Sequence, residues 1–144
     1  MDPCEQLIGE EEGRRATVYT DSRGFSTIGI GCLVDARIRG AGLCDEAIDA
    51  QFRHDSATAW ASAGRIPNFS SLNTFQQAAL VSICFQLGPQ VLGWKHFMAA
   101  MTANDLNAAG AALLDTEWAR TQTPGRAQRE VKMLVSGAWV PHGG

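Results

Sequence analysis

The stretch that most constrains the fold of this chain is Thr74–Leu87, which is apolar on nearly every side of a helix. Asn73 is a favourable N-cap residue directly before it, and Gly88 and Pro89 stop the helix directly after it. A helix without a polar face has to be covered by other elements all round. We therefore expect Thr74–Leu87 to be the central, buried helix of a helical core.

The segments around this helix predict a mixed fold. Thr17–Tyr19 favours strand, Asp21–Gly24 has the composition of a turn, and Phe25–Ile28 resumes as strand, which together indicate a β-hairpin. Helical patterns occupy Cys4–Glu12, Asp45 to about Gly64, Phe97–Met101, Leu106–Trp118 and Pro124–Gly137. The chain is therefore predicted to be α+β, with a small N-terminal β-hairpin lobe and a larger all-helical C-terminal lobe.

Composition fits one ordinary globular domain. The chain has 144 residues, of which 45% are hydrophobic and 19% charged, and its mean hydropathy is -0.09. These values exclude collagen-like, coiled-coil and disordered chains, and no apolar run is long enough to cross a bilayer. We predict a single domain over residues 1–144, with the small lobe at about 13–70 and the helical lobe at about 1–12 and 71–144.

Charge and cysteine usage restrict the partners. A net charge of -3 predicts no bulk attraction to nucleic acid or anionic lipid. No two of the four cysteines and three histidines are spaced like the ligands of a metal site, so we expect no bound metal. In a cytosolic chain we expect the cysteines to be free thiols. Cys32 and Cys44 flank a short loop, and their pairing in an oxidising compartment stays an open alternative. The start of the chain lacks the basic and apolar regions of a secretory signal, which predicts a cytoplasmic location.

Two carboxylates and a hydroxyl are the candidate catalytic groups. Glu12 ends a helix, Asp21 lies in the hairpin turn and Thr27 lies in a strand, so the three are expected side by side. Hydrolysis of a glycosidic bond needs one protonated and one ionised carboxyl group. The alternative is that Glu12 and Asp21 are a solvated helix end and a turn former. Gly29 and Gly31 share one strand face, where either a ligand or backbone approaches closely or the strand bends.

At these residues the sequence resembles the active-site segment of the phage-type lysozymes, glycoside hydrolase family 24. Three further motifs follow in the order of that family: Phe85-Gln86-Leu87-Gly88, Gln122-Thr123-Pro124-Gly125-Arg126-Ala127-Gln128-Arg129 and Gly137-Ala138-Trp139. The resemblance covers nearly the whole chain and is weakest from Leu33 to Leu72.

The resemblance implies a role for each candidate. Glu12 would be the general acid, Asp21 the carboxylate that stabilises the reacting centre and helps to position water, and Thr27 the hydroxyl that holds this water. Enzymes of this family invert the configuration at the anomeric carbon. A threonine at the third position is consistent with inversion, because a hydroxyl orients water but is a poor base or nucleophile unaided. Glu11 stays an alternative acid.

The resemblance also implies supporting residues. The expected sugar-contacting residues are Leu33, Phe85, Gln86 and Thr123, with core packing as the alternative. Arg126 and Arg129 share a face at the start of the last helix, where a cation opposes the helix dipole, so we expect acidic partners. The expected partner of Arg126 is Glu12. The expected partner of Arg129 is Glu11 or Glu10, and a basic surface face is the alternative.

Charge signs predict one more pair, between Arg23 in the turn and Glu117 before Trp118. We expect this exposed pair to contribute about 0.2–1 kcal/mol and to influence opening of the cleft.

The resemblance thus implies a lysozyme-like fold with a cleft between the two lobes. It implies a monomeric, cofactor-independent endolysin, a muramidase acting on the β-1,4 bond between N-acetylmuramic acid and N-acetylglucosamine in peptidoglycan. It would stay in the host cytoplasm until a holin-like pore releases it to the wall for host lysis, without binding nucleic acid or inserting into membranes. Three alternatives stay open: a lytic transglycosylase, a non-enzymatic wall-binding module and a component of the virion.

Overall fold

Helices and strands are segregated along the chain in the computed structural model, which describes residues 2–143. The strands are β1 (Arg15–Thr20), β2 (Ser26–Gly29) and β3 (Cys32–Leu33). The α-helices are α1 (Pro3–Glu12), α2 (Asp45–Ala63), α3 (Thr74–Leu87), α4 (Lys95–Thr102), α5 (Leu106–Leu114) and α6 (Pro124–Ser136). Short 3-10 turns lie at Phe69–Ser71 and Gly88–Gly93, and a π-helical turn lies at Trp118–Gln122. The α+β prediction is confirmed.

The chain forms two compact units, one up to Gln51 and one from Phe52 onwards. This boundary falls inside α2, whose first residues belong to the first unit. The sequence-based lobe limits at about residues 13 and 70, and the cleft, stay predictions. No helix among residues 2–143 is long and apolar enough to span a membrane.

The first unit contains an antiparallel sheet in the order β1-β2-β3. The predicted hairpin is confirmed, and β3 is an additional short strand. Thr27 lies in the middle strand, opposite Tyr19 of β1 and opposite Leu33 of β3. The sheet therefore surrounds the predicted water-holding residue with strands on both sides.

Helix α3 has the predicted bounds and lies in the core of the second unit. The Asn73 side chain accepts the Gln76 N–H at 3.0 Å, and the Gln76 side chain accepts the Asn73 N–H at 3.0 Å. This reciprocal capping box fixes the first turn of α3. The buried side chains of α3 are Ala79, Leu80, Ile83 and Cys84. They pack with Val91, Phe97, Met101, Leu113, Trp118 and Leu134 in one hydrophobic core.

The helix predicted over Leu106–Trp118 is shorter, because α5 ends at Leu114. The Thr116 hydroxyl donates to the Leu113 carbonyl at 2.7 Å and accepts the Ala119 N–H at 3.3 Å. Such local side-chain bonds compete with helical hydrogen bonds and favour a break.

Candidate active site

Glu12 is the last residue of α1, and its side chain lies against Gly31 in the turn between β2 and β3. A Cβ atom at Gly31 would lie 2.7 Å from Glu12 Oε2 and 2.8 Å from Glu12 Cδ. Gly31 also has a φ of +65°, which favours glycine. The two glycines do not share a strand face: the chain bends there, as the alternative had it, and the group that lies close to Gly31 is the exposed Glu12 side chain, not a ligand or backbone.

Asp21 lies in the turn between β1 and β2. Its Oδ1 accepts the N–H groups of Arg23 and Phe25, both at 2.9 Å, and the Arg23 guanidinium lies 3.6 Å from its Oδ2. The Phe25 N–H holds the pKa of Asp21 below its ordinary value, and the Arg23 N–H and charge act in the same direction. Asp21 is therefore ionised near neutral pH, as its predicted role requires.

Thr27 is buried in β2, with 3% of its surface exposed. Its hydroxyl donates to the Phe25 carbonyl at 3.1 Å. A hydroxyl that donates once still has lone pairs with which to accept a hydrogen bond from water. Phe25 is thus a direct partner of both Asp21 and Thr27.

Sequence reasoning missed Asp35 and Arg37, which adjoin this turn. Asp35 is 5% exposed and its Oδ2 accepts the Ser26 N–H at 2.9 Å. The Arg37 guanidinium donates to both Asp35 oxygens, at 2.8 and 2.7 Å, and to the Gly24 carbonyl at 2.8 Å. The hydrogen bonds from Arg37, followed by the Ser26 N–H, hold the pKa of Asp35 far below its ordinary value. A local Asp-x-Arg sequence was the only signal, and it does not reveal the bonds to Gly24 and Ser26.

Two of the four expected sugar-contacting residues lie together in the second unit. Gln86 Nε2 donates to the Thr123 hydroxyl at 3.2 Å, and Gln86 Oε1 accepts the Trp118 indole N–H at 2.9 Å. Phe85 is exposed, with its ring 5.9 Å from that of Phe52. Leu33 is half-buried in β3 of the first unit. Sugar contact by these residues stays a prediction.

Arg126 has an acidic partner that sequence reasoning did not consider. Its Nε donates to Glu130 Oε1 at 2.9 Å, and its Nη2 donates to the Ser82 carbonyl at 3.0 Å and hydroxyl at 2.9 Å. The Ser82 hydroxyl donates to Glu130 Oε1 at 2.5 Å, and Glu130 is 3% exposed. The expected pairing of Arg126 with Glu12 stays a prediction.

Arg129 contacts a carbonyl and a ring. Its Nε donates to the Val140 carbonyl at 2.7 Å, and its guanidinium lies 5.0 Å from the centre of the Trp139 ring. These contacts join α6 to the segment that follows it. The expected pairing with Glu11 or Glu10 stays a prediction.

Arg23 lies beside Asp21, and its guanidinium is 5.5 Å from the centre of the Phe25 ring. Glu117 is exposed and directly precedes the π-helical turn. The expected pairing of Arg23 with Glu117 stays a prediction.

The cysteines are all free, and only Cys84 is buried. In the part of the chain that the structure describes, no three His, Cys, Asp or Glu residues are grouped to hold a metal ion.

Glu12 at the end of α1 and ionised Asp21 in the turn before β2 are a pair of carboxyl groups of the kind that glycoside hydrolases use, and Thr27 lies in β2. The sequence model of the phage lysozyme family matches residues 9–135, so the chain belongs to that family. The resemblance that the sequence motifs indicated is therefore confirmed.

The chain is also similar to the pre-baseplate central spike protein Gp5 of Enterobacteria phage T4. The two are 27% identical over 164 aligned residues, which cover 96% of this chain and 28% of the spike protein. The chain therefore corresponds to less than a third of that relative's length.

Proposed function

We propose that this chain is a muramidase that hydrolyses the β-1,4 bond between N-acetylmuramic acid and N-acetylglucosamine in bacterial peptidoglycan, with inversion at the anomeric carbon. The proposal depends on membership of the phage lysozyme family. The Glu12 side chain lies against Gly31, in the turn that follows β2, and the same small sheet has Thr27 in β2 and Asp21 in the turn before it.

Each of the three residues has one role in this mechanism. Glu12 donates its proton to the leaving glycosidic oxygen. Ionised Asp21 stabilises positive charge at the sugar carbon and helps to position water, and Thr27 orients that water through its free lone pairs. As the bond from the anomeric carbon to the leaving oxygen breaks, the water oxygen bonds to that carbon and its proton passes to the Asp21 carboxylate. No cofactor takes part.

The nature of the third residue supports inversion. Thr27 offers a hydroxyl, which orients water but is a poor base or nucleophile unaided. Glu12 lies against the turn that follows β2, whereas Asp21 is bonded to Phe25, directly before β2. Inverting enzymes use a water molecule placed between their two carboxyl groups, and Thr27 of β2 is the residue proposed to orient it here.

The proposed biological setting is host lysis. The protein would act as a monomer, accumulate in the host cytoplasm and reach the wall through a holin-like pore. The residues proposed to contact the sugar chain are Leu33, Phe85, Gln86 and Thr123.

A second setting is favoured by the similarity to a spike protein, whose name places it in a virion. In that setting the same hydrolysis would open the wall during entry. Mass spectrometry of purified particles separates the two settings, because a lysis enzyme is absent from washed particles and a virion component is retained in them.

The experiment that tests the activity is digestion of purified peptidoglycan with the wild type and Glu12→Gln, followed by mass spectrometry of the reducing ends. Hydrated muramic-acid ends that vanish in the variant are expected. Anhydro ends would make the protein a transglycosylase, and N-acetylglucosamine ends would assign the other bond of the glycan. Intact peptidoglycan in both samples, with protein bound to it, would indicate that the protein is a wall-binding module without hydrolase activity.

A further inference from the structure

We infer that Asp35 and Arg37 are positioning residues of the active site, a clamp that fixes the turn from which Asp21 and Thr27 act. This inference rests on the proposed function. It assigns a role in the reaction to two residues that contact neither of the catalytic side chains directly.

The clamp grips the turn on both sides of Phe25. Arg37 Nη2 donates to the carbonyl of Gly24, the residue before Phe25, at 2.8 Å. Asp35 Oδ2 accepts the N–H of Ser26, the residue after Phe25, at 2.9 Å. The backbone of Phe25 is therefore held between two hydrogen bonds from one ion pair.

Phe25 transmits this constraint because it bonds to both catalytic residues. Its N–H donates to Asp21 Oδ1 at 2.9 Å, and its carbonyl accepts the Asp21 N–H at 2.9 Å. The same carbonyl accepts the Thr27 hydroxyl at 3.1 Å. A shift of the two peptide groups on either side of Phe25 would therefore turn the Asp21 carboxylate and the Thr27 hydroxyl together.

The Phe25 ring is held as well as its backbone. The guanidinium of Arg37 lies 5.2 Å from the ring centre, and that of Arg23 lies 5.5 Å from it. Both distances are within the range of cation–π attraction.

The chemistry of the ion pair suits a rigid clamp. Arg37 Nε and Nη2 donate to the two oxygens of Asp35 in a fork at 2.8 and 2.7 Å, and Nη2 also reaches Gly24. A planar guanidinium makes such a bidentate contact, and a lysine ammonium does not reproduce it. Asp35 is buried, so its carboxylate has little freedom to find other partners.

The test compares Arg37→Met and Arg37→Lys with Arg39→Met, a substitution of an exposed arginine two residues further on. Initial rates on soluble peptidoglycan fragments give kcat and KM separately. We expect kcat to fall roughly 10- to 100-fold in Arg37→Met, as for a catalytic group displaced by up to about 1 Å. KM should change less than twofold, Arg37→Lys should recover only part of kcat, and Arg39→Met should match the wild type.

A second readout does not depend on turnover. Nuclear magnetic resonance should show displaced amide signals of Phe25 and Thr27 in Arg37→Met, and an Asp21 carboxyl group that titrates at higher pH than in the wild type. Asp35→Asn, which keeps the side-chain shape, should change the same signals.

The outcomes separate the two proposals. An inactive wild type whose Phe25, Thr27 and Asp21 signals respond to Arg37→Met would refute the muramidase and leave the clamp standing. An active wild type with unchanged signals and kcat within twofold in Arg37→Met would refute the clamp alone. The clamp would also be refuted if Arg37→Met lost kcat only at temperatures at which the variant unfolds and matched the wild type at lower temperatures. The role of Arg37 would then be to stabilise the fold only.

Discussion

Gly31→Ala tests whether the position of the Glu12 carboxylate matters for catalysis. The new methyl group would lie 2.7 Å from Glu12 Oε2, where ordinary contact starts at 3.4 Å. The carboxylate therefore has to move by roughly 0.7 Å. Gly29→Ala is a matched control, because Gly29 has a φ of +69° against +65° at Gly31 and a Cβ there meets nothing within 4 Å.

The two substitutions should cost similar stability and very different activity. Alanine in the left-handed region costs about 1–2 kcal/mol at either position, which lowers Tm by about 5 °C in a domain of this size. Glu12 is a flexible side chain at a helix end, so its displacement adds little to that cost. A catalytic group misplaced by about 1 Å loses roughly 100-fold in rate, so we expect a 10- to 100-fold loss in Gly31→Ala alone.

Thermal unfolding and initial rates of dye release from labelled peptidoglycan measure both effects. The rates are to be taken well below the lower Tm, so that both variants are folded. Equal activity of Gly31→Ala and Gly29→Ala would refute the proposal that the carboxyl group lying against Gly31 is catalytic.

Three further predictions concern the folded chain. Arg126→Met removes the cation beside the buried Glu130 carboxylate and leaves it only the Ser82 hydroxyl, which should cost about 3 kcal/mol of unfolding free energy. Arg126→Met combined with Glu130→Leu should regain most of that loss, and an equal loss in both variants would contradict the prediction. Ionised Asp21 stabilises the fold above its ordinary pKa of 3.8, and this contribution is lost as pH falls through its lower folded pKa. The difference in unfolding free energy between wild type and Asp21→Asn should therefore shrink below about pH 4, and a difference independent of pH would refute it. Burial raises the pKa of the Cys84 thiol to about 11, so Ellman's reagent should modify the exposed Cys4 quickly and Cys84 only after unfolding.

Local signals in the sequence predicted most of the elements. The polar cap at Asn73 and the glycine at position 88 are chemical markers of helix ends, and both occur where the structure begins and ends α3. The end of α5 was missed because it depends on the Thr116 hydroxyl, whose choice of partners is not visible in a hydrophobic pattern.

The candidate site was predictable where a motif marks it and not where contacts between distant residues build it. The positions of Glu12, Asp21 and Thr27 in a helix end, a turn and a strand were predictable, whereas their roles come from the family resemblance and stay predictions. The two glycines indicated a bend, but not that the Glu12 side chain lies against Gly31. The grip of Asp35 and Arg37 on the turn depends on how the loop after β3 folds back, which no periodicity encodes. The spacing of Arg126 and Glu130 fits a helical ion pair, but its burial depends on packing against α3.

The most direct test of the central claim compares Glu12→Gln with Glu11→Gln in the release of fragments from purified peptidoglycan. Both side chains are exposed in the last turn of α1, so loss of either charge should affect folding alike. A general acid contributes at least about 100-fold to the rate. We predict that Glu12→Gln loses at least that factor while Glu11→Gln stays within about twofold of the wild type. An active Glu12→Gln, or an inactive Glu11→Gln beside it, would contradict the assignment of Glu12 as the catalytic acid.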